Sequence, residues 1–305
     1  MEANQPKLSS LEQEAVDEKT SGDRLKELAT INLELARLVA SNPSAPPELL
    51  RYLGTSYDKV TRRGVASNPN TPTNILLKLG EEFPKELLAN SMLPLLYLEN
   101  QNFIQEMPRL ALRNLLTQDE VPIYILESAS SHYSSDVLKL IAQHTNTPDS
   151  ALEQIAAKSR ESSIGWCLVK RSGLSTRVLE KLAEHAAGEV LLYLAQHPNT
   201  PGSVLERIAD QKWVVLLKAV ARNPNTPLPI LERLANDTDI KVKKVLAKHS
   251  HLNANIVAEL ALNHQLNAKG LLLQNRKIST SVLEQLQSIR IAKFVKWLPS
   301  TRTLP

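Results

Sequence analysis

Apolar residues in this chain fall into short runs that return about every 26 residues, separated by polar turns rich in Asn and Pro. The clearest copy is Val220 to Ala235, VARNPNTPLPILERLA: an apolar run, an Asn-Pro-Asn-Thr-Pro turn, then a second apolar run. A fixed period of roughly 20–50 residues marks a repeat array rather than a single-core domain. With Asn223 as a marker, steps of 26 reach His197, Arg171, His249 and Asn275. With small changes of length the column continues through His144, Gln118, Asn90, Asn68 and Asn42, ten repeats in all. Eight residues after the marker every repeat is apolar, from Leu50 through Leu98 and Leu126 to Leu283, and three residues before it stand Val39, Val65, Leu87, Leu115, Ile141, Leu168, Leu194, Val220, Leu246 and Leu272.

Each repeat reads as two short helices. The first carries apolar residues at helical spacing, as in Leu216, Ala219 and Val220, and ends at the marker, because a following proline disfavours helical geometry in the residue before it. The second starts at the Thr-Pro pair, with Thr226 as the expected N-cap and Pro227 as the first helical residue. Its stripe Ile230, Leu231, Leu234, Ala235 lies along one face. Helices this short are marginal alone, so stacking on neighbouring repeats must hold them. The marker residues, including His144, His197 and His249, are expected to terminate the first helix by bonding nearby backbone and by tolerating left-handed geometry.

Residues 1–20 are polar and mostly acidic, and are expected to form a flexible tail with at most one helical turn around Leu11 to Val16. The repeat domain is expected over 21–298, opening on a half repeat at Ser21–Ala29 and closing on another at Ser288–Leu298, with a tail at 299–305. The span 80–122 is irregular: one repeat shrinks and the next stretches through a loop-like Asn100–Pro108.

The pattern V-A-x-N-P-x-T-P-x-x-[IV]-L-x-x-L-A, matched best at Val65–Leu79, Leu194–Ala209 and Val220–Ala235, resembles the leucine-rich repeat variant family, a bacterial repeat related in shape to armadillo and HEAT solenoids. The resemblance covers about Ser21 to Trp297. It implies an all-α, right-handed α-solenoid in which a helix alternates with a shorter one, of α or 3-10 type. The family's founding member has a cysteine cluster ahead of its repeats; this chain has Cys167 alone, too few thiolates for an iron–sulfur cluster.

Charge and cysteine content narrow the class. One cysteine excludes an intramolecular disulfide framework and fits a reducing, cytoplasmic setting, with Cys167 in a core column expected to be a buried structural thiol. No apolar run reaches membrane-spanning length, so no membrane partner is expected. Glycine-rich phosphate loops, Cys-x-x-Cys and His-Glu-x-x-His are all missing, which points to a chain with no cofactor, no metal, no small-molecule substrate and no catalytic role.

The candidate chemistry lies on columns that are not core. Glu99, Glu127, Glu153, Glu180, Glu206, Glu232 and Glu284 form an acidic row along the second helices, a solvated face that also suits a helix start. The first helices carry the opposite sign: Arg37, Arg63, Arg113, Lys139, Lys218 and Lys244 five residues before the marker, and Lys170, Arg222 and Lys248 one before it. These two columns are four apart and share a helical face. Where a cation is expected stand Trp166 and Leu192, an apolar pair ringed by Lys139, Lys170, Lys218 and Arg222: either an interface hot spot, or a place where the helix is rotated or the insertion near Ser162 folds back and covers the tryptophan. Trp213, in the loop before a first helix, either extends that patch or fills a gap. The expected function is a scaffold that binds a protein partner, acidic or bearing an apolar anchor; the alternative is nucleic-acid backbone binding by the same stripe.

Overall fold

The computed structural model describes residues 9–158, 162–171, 173–262 and 275. Among them lie twenty-one helices and no strand. The contacts gather into two compact units, 1–151 and 152–305, where the sequence leads one to expect a single domain over 21–298. In a repeat array each repeat touches its neighbours and no central core exists.

In the first unit the first helices are Ser10–Val16, Leu33–Ser41, Lys59–Ser67, Pro84–Ala89, Arg109–Leu116 and Ser135–Gln143, alternating with second helices Gly22–Ile31, Pro47–Leu53, Thr73–Gly80, Met92–Glu99 and Ile123–Ala129. In the second unit the first helices are Ser162–Val169, Glu189–Gln196, Val214–Val220 and Ile240–Leu246, and the second are Thr176–His185, Gly202–Ala209, Leu228–Ala235 and Ala254–Leu262. Asp149–Lys158 spans the division between units. Among the described residues the second helices are α, not 3-10. Both units are thus stacks of helix pairs, the α-solenoid architecture.

The core is the two columns read from the sequence. Val39, Val65, Leu87, Leu115, Ile141, Leu168, Leu194, Val220 and Leu246 are all 0% exposed. Each such side chain contributes ~1.5–3 kcal/mol on leaving water. Among the described residues the column eight after the marker is equally buried except at Leu98, which is 74% exposed. The turn after Asn90 is short, so Met92–Glu99 begins early and turns Leu93 inward in its place, fully buried.

The N-terminal segment departs from expectation. Ser9 caps Ser10–Val16 in a reciprocal box with Glu12, Ala15 is fully buried, and the helix packs on Leu33–Ser41. The backbone carbonyls of Ala15 and Asp17 accept Asn42 Nδ2–H (2.9 and 3.0 Å). Asp17 therefore sits in the marker column, and the array opens on a full repeat rather than on a loose tail and a half repeat. The sequence points to a tail because Ala15 is the only buried side chain of this helix, too weak a periodic signal. Residues 1–8 and the expected C-terminal half repeat and tail lie outside the described residues. Within 80–122, the expected loop Asn100–Pro108 contains an additional helix, Phe103–Glu106, with Phe103 and Ile104 buried.

The turn chemistry also differs from expectation. The marker residues are extended, with φ −74° at Asn42 and −78° at Asn68, so left-handed tolerance plays no part. Their side chains join one repeat to the preceding one. Asn68 Nδ2 donates to Ala40 O (3.0 Å) and Asn42 O (2.7 Å), Asn90 to Ala66 O (2.9 Å) and Asn68 O (3.0 Å), and Asn223 to Ala195 O (2.8 Å) and His197 O (2.9 Å). Each Oδ1 accepts the N–H two residues on, as Asn223 does from Asn225 (2.9 Å). Histidine fills the same place with its ring: Nδ1 of His197 accepts Asn199 N–H (3.2 Å), which puts the proton on Nε2, and Nε2 donates to Arg171 O (3.1 Å). His249 repeats this toward Asn223 O (2.9 Å). Gln118, one methylene longer, turns back to Asn114 O of its own helix, and Asn114 instead donates to Glu81 O (2.8 Å). Thr226 is not the N-cap of the second helix. That cap is Pro227, while Thr226 Oγ1 donates to Val220 O (2.6 Å) and seals the end of the first helix, as Thr71 does at Val65 O (2.6 Å).

Two titratable groups of the first unit make stability fall in acid. Burial, and secondarily the charge of Arg109, hold His132 below its ordinary 6.5, and its Nδ1 accepts Ser134 N–H (2.9 Å). Arg37, with the Thr61 backbone N–H, holds the Asp58 carboxyl well below the usual carboxylate range. A histidine depressed on folding contributes stability that is present above its unfolded value and lost as pH falls below it; Asp58 acts likewise below about pH 4. Acidification from pH 7.5 to 5.5 is therefore expected to lower the urea midpoint first through His132. The loss should be visibly smaller in His132→Gln; an identical pH slope in the two proteins would assign it elsewhere.

Candidate functional site

The first-helix cations are held differently in the two units. In the first, Arg37 reaches Asp58 (2.9 Å), Arg62 Glu82 (2.8 Å), Arg63 Glu86 (3.0 Å) and Arg109 Asp136 (2.6 Å), each acid lying at or near the start of the next first helix. These four charges are neutralised from repeat to repeat, whereas Arg113 and Lys139 of the same unit make no ion pair among the described residues. In the second, Lys218, Arg222, Lys244 and Lys248 make no ion pair among the described residues. The acid equivalent to Asp58 exists as Asp239, but it caps Ile240–Leu246 through Lys241 N–H (2.6 Å). Arg222, Lys244 and Lys248 converge with Val245 around a groove of about 260 Å³. Three cations with no ion pair among the described residues thus lie along one groove, and a guanidinium such as that of Arg222 has the geometry to bind a carboxylate or phosphate bidentately.

The predicted hot spot takes another form. Trp166 is partly buried, its ring tilted 55° against Tyr193 of the next first helix at 4.5 Å between centroids, with Lys170 Nζ 4.8 Å over its face. Leu192 is partly buried too. Sequence columns placed both on the solvent side, but an indole is large enough to span the gap between stacked helices and pack there. They do not form an open apolar anchor. Lys139, partly buried on Ser135–Gln143, belongs to the first unit. Cys167 forms no disulfide and is partly buried rather than enclosed.

The acidic row along the second helices is used internally at several places. Glu127 accepts Ser150 Oγ–H (2.7 Å), Glu153 pairs with Arg177 (3.4 Å) and Glu232 accepts from Asn253 Nδ2 (3.0 Å), all tying a second helix to the following one.

Trp213 is the feature that the columns underrated. It is 57% exposed, so it fills no gap, and Val215 beside it is 59% exposed. Its place, ten residues before the marker, is the N-cap column of the first helices. There Asn32 accepts Leu35 N–H (2.9 Å), Asp58 accepts Thr61 N–H (2.8 Å) and Asp239 caps as described. Trp213 makes no cap bond, which forgoes ~1 kcal/mol. The preceding Lys212, with φ 56°, is the one non-glycine residue with positive φ among the described residues, a further cost of ~1–2 kcal/mol. Pro108 and Ser134 of the same column make no side-chain cap bond either, so what sets Trp213 apart is its exposure, which the sequence alone does not show.

Among the described residues no helix is long and apolar enough to cross a membrane, and no group of three His, Cys, Asp or Glu is placed to hold a metal ion. Comparison with known proteins agrees with the repeat geometry. Residues 9–69 match the family model described as a Leucine Rich Repeat Variant domain, beginning at the same Ser9 that caps the first helix, and residues 217–239 match the model described as Leucine rich repeat variant. No curated protein and no solved structure matches. Both matched stretches share one set of columns with the repeats between them, and over 9–69 and 217–239 the chain carries leucine rich repeat variant repeats.

Proposed function

We propose that this protein is a noncatalytic repeat scaffold that binds a protein partner on the outward face of the first helices in its second unit. The observation that supports this is a cluster of unmatched cations: Lys218, Arg222, Lys244 and Lys248 make no ion pair among the described residues and three of them line one groove, while Arg37, Arg62 and Arg63 of the first unit are matched by acids. Unpaired cations on stacked, preformed helices bind with little ordering of the scaffold. The same cations favour nucleic acid as a second reading, because phosphates would meet the groove equally well.

Nuclease-treated extract passed over the immobilised chain separates the two. A specific protein retained by the wild type and released by changing all four cations to Glu is the expected result. Retention that disappears with nuclease and decays steeply between low and moderate salt would replace the protein reading by the nucleic-acid one.

A further inference from the structure

Lys218 and Arg222 follow Val215 by three and seven residues, the spacing of a single helical face, with Arg222 in the turn just past Val214–Val220. On the next first helix Lys241, Lys244 and Lys248 have the same spacing, and the two helices pack side by side. Val215 stands at the entry end of this face with the exposed Trp213 at the N-cap just before it, and the groove of Arg222, Lys244, Val245 and Lys248 lies toward its exit end. Seven residues of helical rise put these two ends about 10 Å apart.

Resting on the scaffold reading above, we infer that the partner presents a short segment with one large apolar side chain followed by a cluster of carboxylates, the apolar group packing on Trp213 and Val215 and the carboxylates entering the Arg222–Lys244–Lys248 groove. The ~10 Å separation corresponds to roughly three residues of extended chain or two turns of helix between anchor and acids. Charge complementarity selects the acidic occupant, since this face has cations and no ion-paired acid among the described residues. Exposure of Trp213 selects the anchor. The indole stays 57% exposed beside an uncapped helix start and a left-handed Lys212, and tryptophan surrounded by a charged rim is a frequent centre of binding energy. A strand of nucleic acid would also use the cations, but its recurring phosphates would not require one apolar residue at a fixed distance.

The test uses the full chain and fluorescein-labelled probes read by anisotropy. One probe is a peptide with a single Phe, a spacer of about three residues and four consecutive Asp/Glu residues; the others replace Phe by Ser, replace the acids by Asn/Gln, or are oligo-dT of similar charge. The Phe–acid peptide is expected to bind the wild type at least about tenfold more tightly than either peptide control. Trp213→Ala should remove that advantage while leaving the thermal midpoint unchanged, and Trp213→Phe should retain most of it. Equal binding of the Phe and Ser peptides, or indifference to Trp213→Ala, would overturn the anchored segment while leaving acidic-partner scaffolding intact. Tighter binding of oligo-dT than of every peptide, lost with the fourfold Glu variant, would overturn both readings in favour of nucleic acid. Indifference of all probes to the fourfold variant would overturn the assignment of this face altogether.

Discussion

Changing Asn223 to Ala is expected to destabilise the second unit by about 3 kcal/mol, and changing it to His by only about 1 kcal/mol. The amide donates to two buried carbonyls of the preceding repeat, Ala195 O and His197 O, and accepts Asn225 N–H. Alanine leaves all three without that partner, and an unpaired buried polar group costs ~1–3 kcal/mol. Histidine keeps most of the arrangement, as His249 demonstrates one repeat later: its Nδ1 accepts the local N–H and its Nε2 donates to the preceding marker. It lacks the second donated bond. Because repeats are coupled only to neighbours, the loss should appear locally, as faster amide exchange of Asn225 and Thr226 as well as a lower urea midpoint. Equal losses for Ala and His would show that packing volume, not the bond between repeats, governs this column.

Leu126→Ala should cost about 2–5 kcal/mol and Leu98→Ala less than about 0.5 kcal/mol, although the two leucines occupy one column of the sequence. Leu126 is fully buried, so truncation removes transfer energy and opens a cavity. Leu98 is 74% exposed, and Leu93 fills the interior place of its repeat. Urea unfolding of the two variants measures the difference. A large loss at Leu98 would mean that its repeat packs in the regular register after all.

The regular repeats were legible because burial there is periodic. Val220, Leu231 and their equivalents repeat at a constant interval, and a constant interval can be counted without coordinates. Where the turn after Asn90 shortens, counting still lands on Leu98, but the helix has rotated and another leucine points inward. The segment 9–20 was missed for a related reason: acidic residues outnumber its apolar ones, and the helix is held by Ala15 and by bonds reaching from Asn42, a residue far along the chain. The candidate site was half legible. The cationic columns could be read directly, yet Trp166 looked open and Trp213 incidental, and packing reverses both.

By itself the sequence determined the two-helix repeat, its period, the apolar columns and the positions of the charges, because helical spacing and proline-bearing turns are local properties of the chain. Only the tertiary structure decided which charges remain unpaired, which tryptophan meets water, and what the marker residues do. Each of those depends on what the adjacent repeat places opposite: Asp58 meets Arg37, Tyr193 covers Trp166, nothing caps with Trp213, and Asn223 bonds carbonyls of the repeat before it.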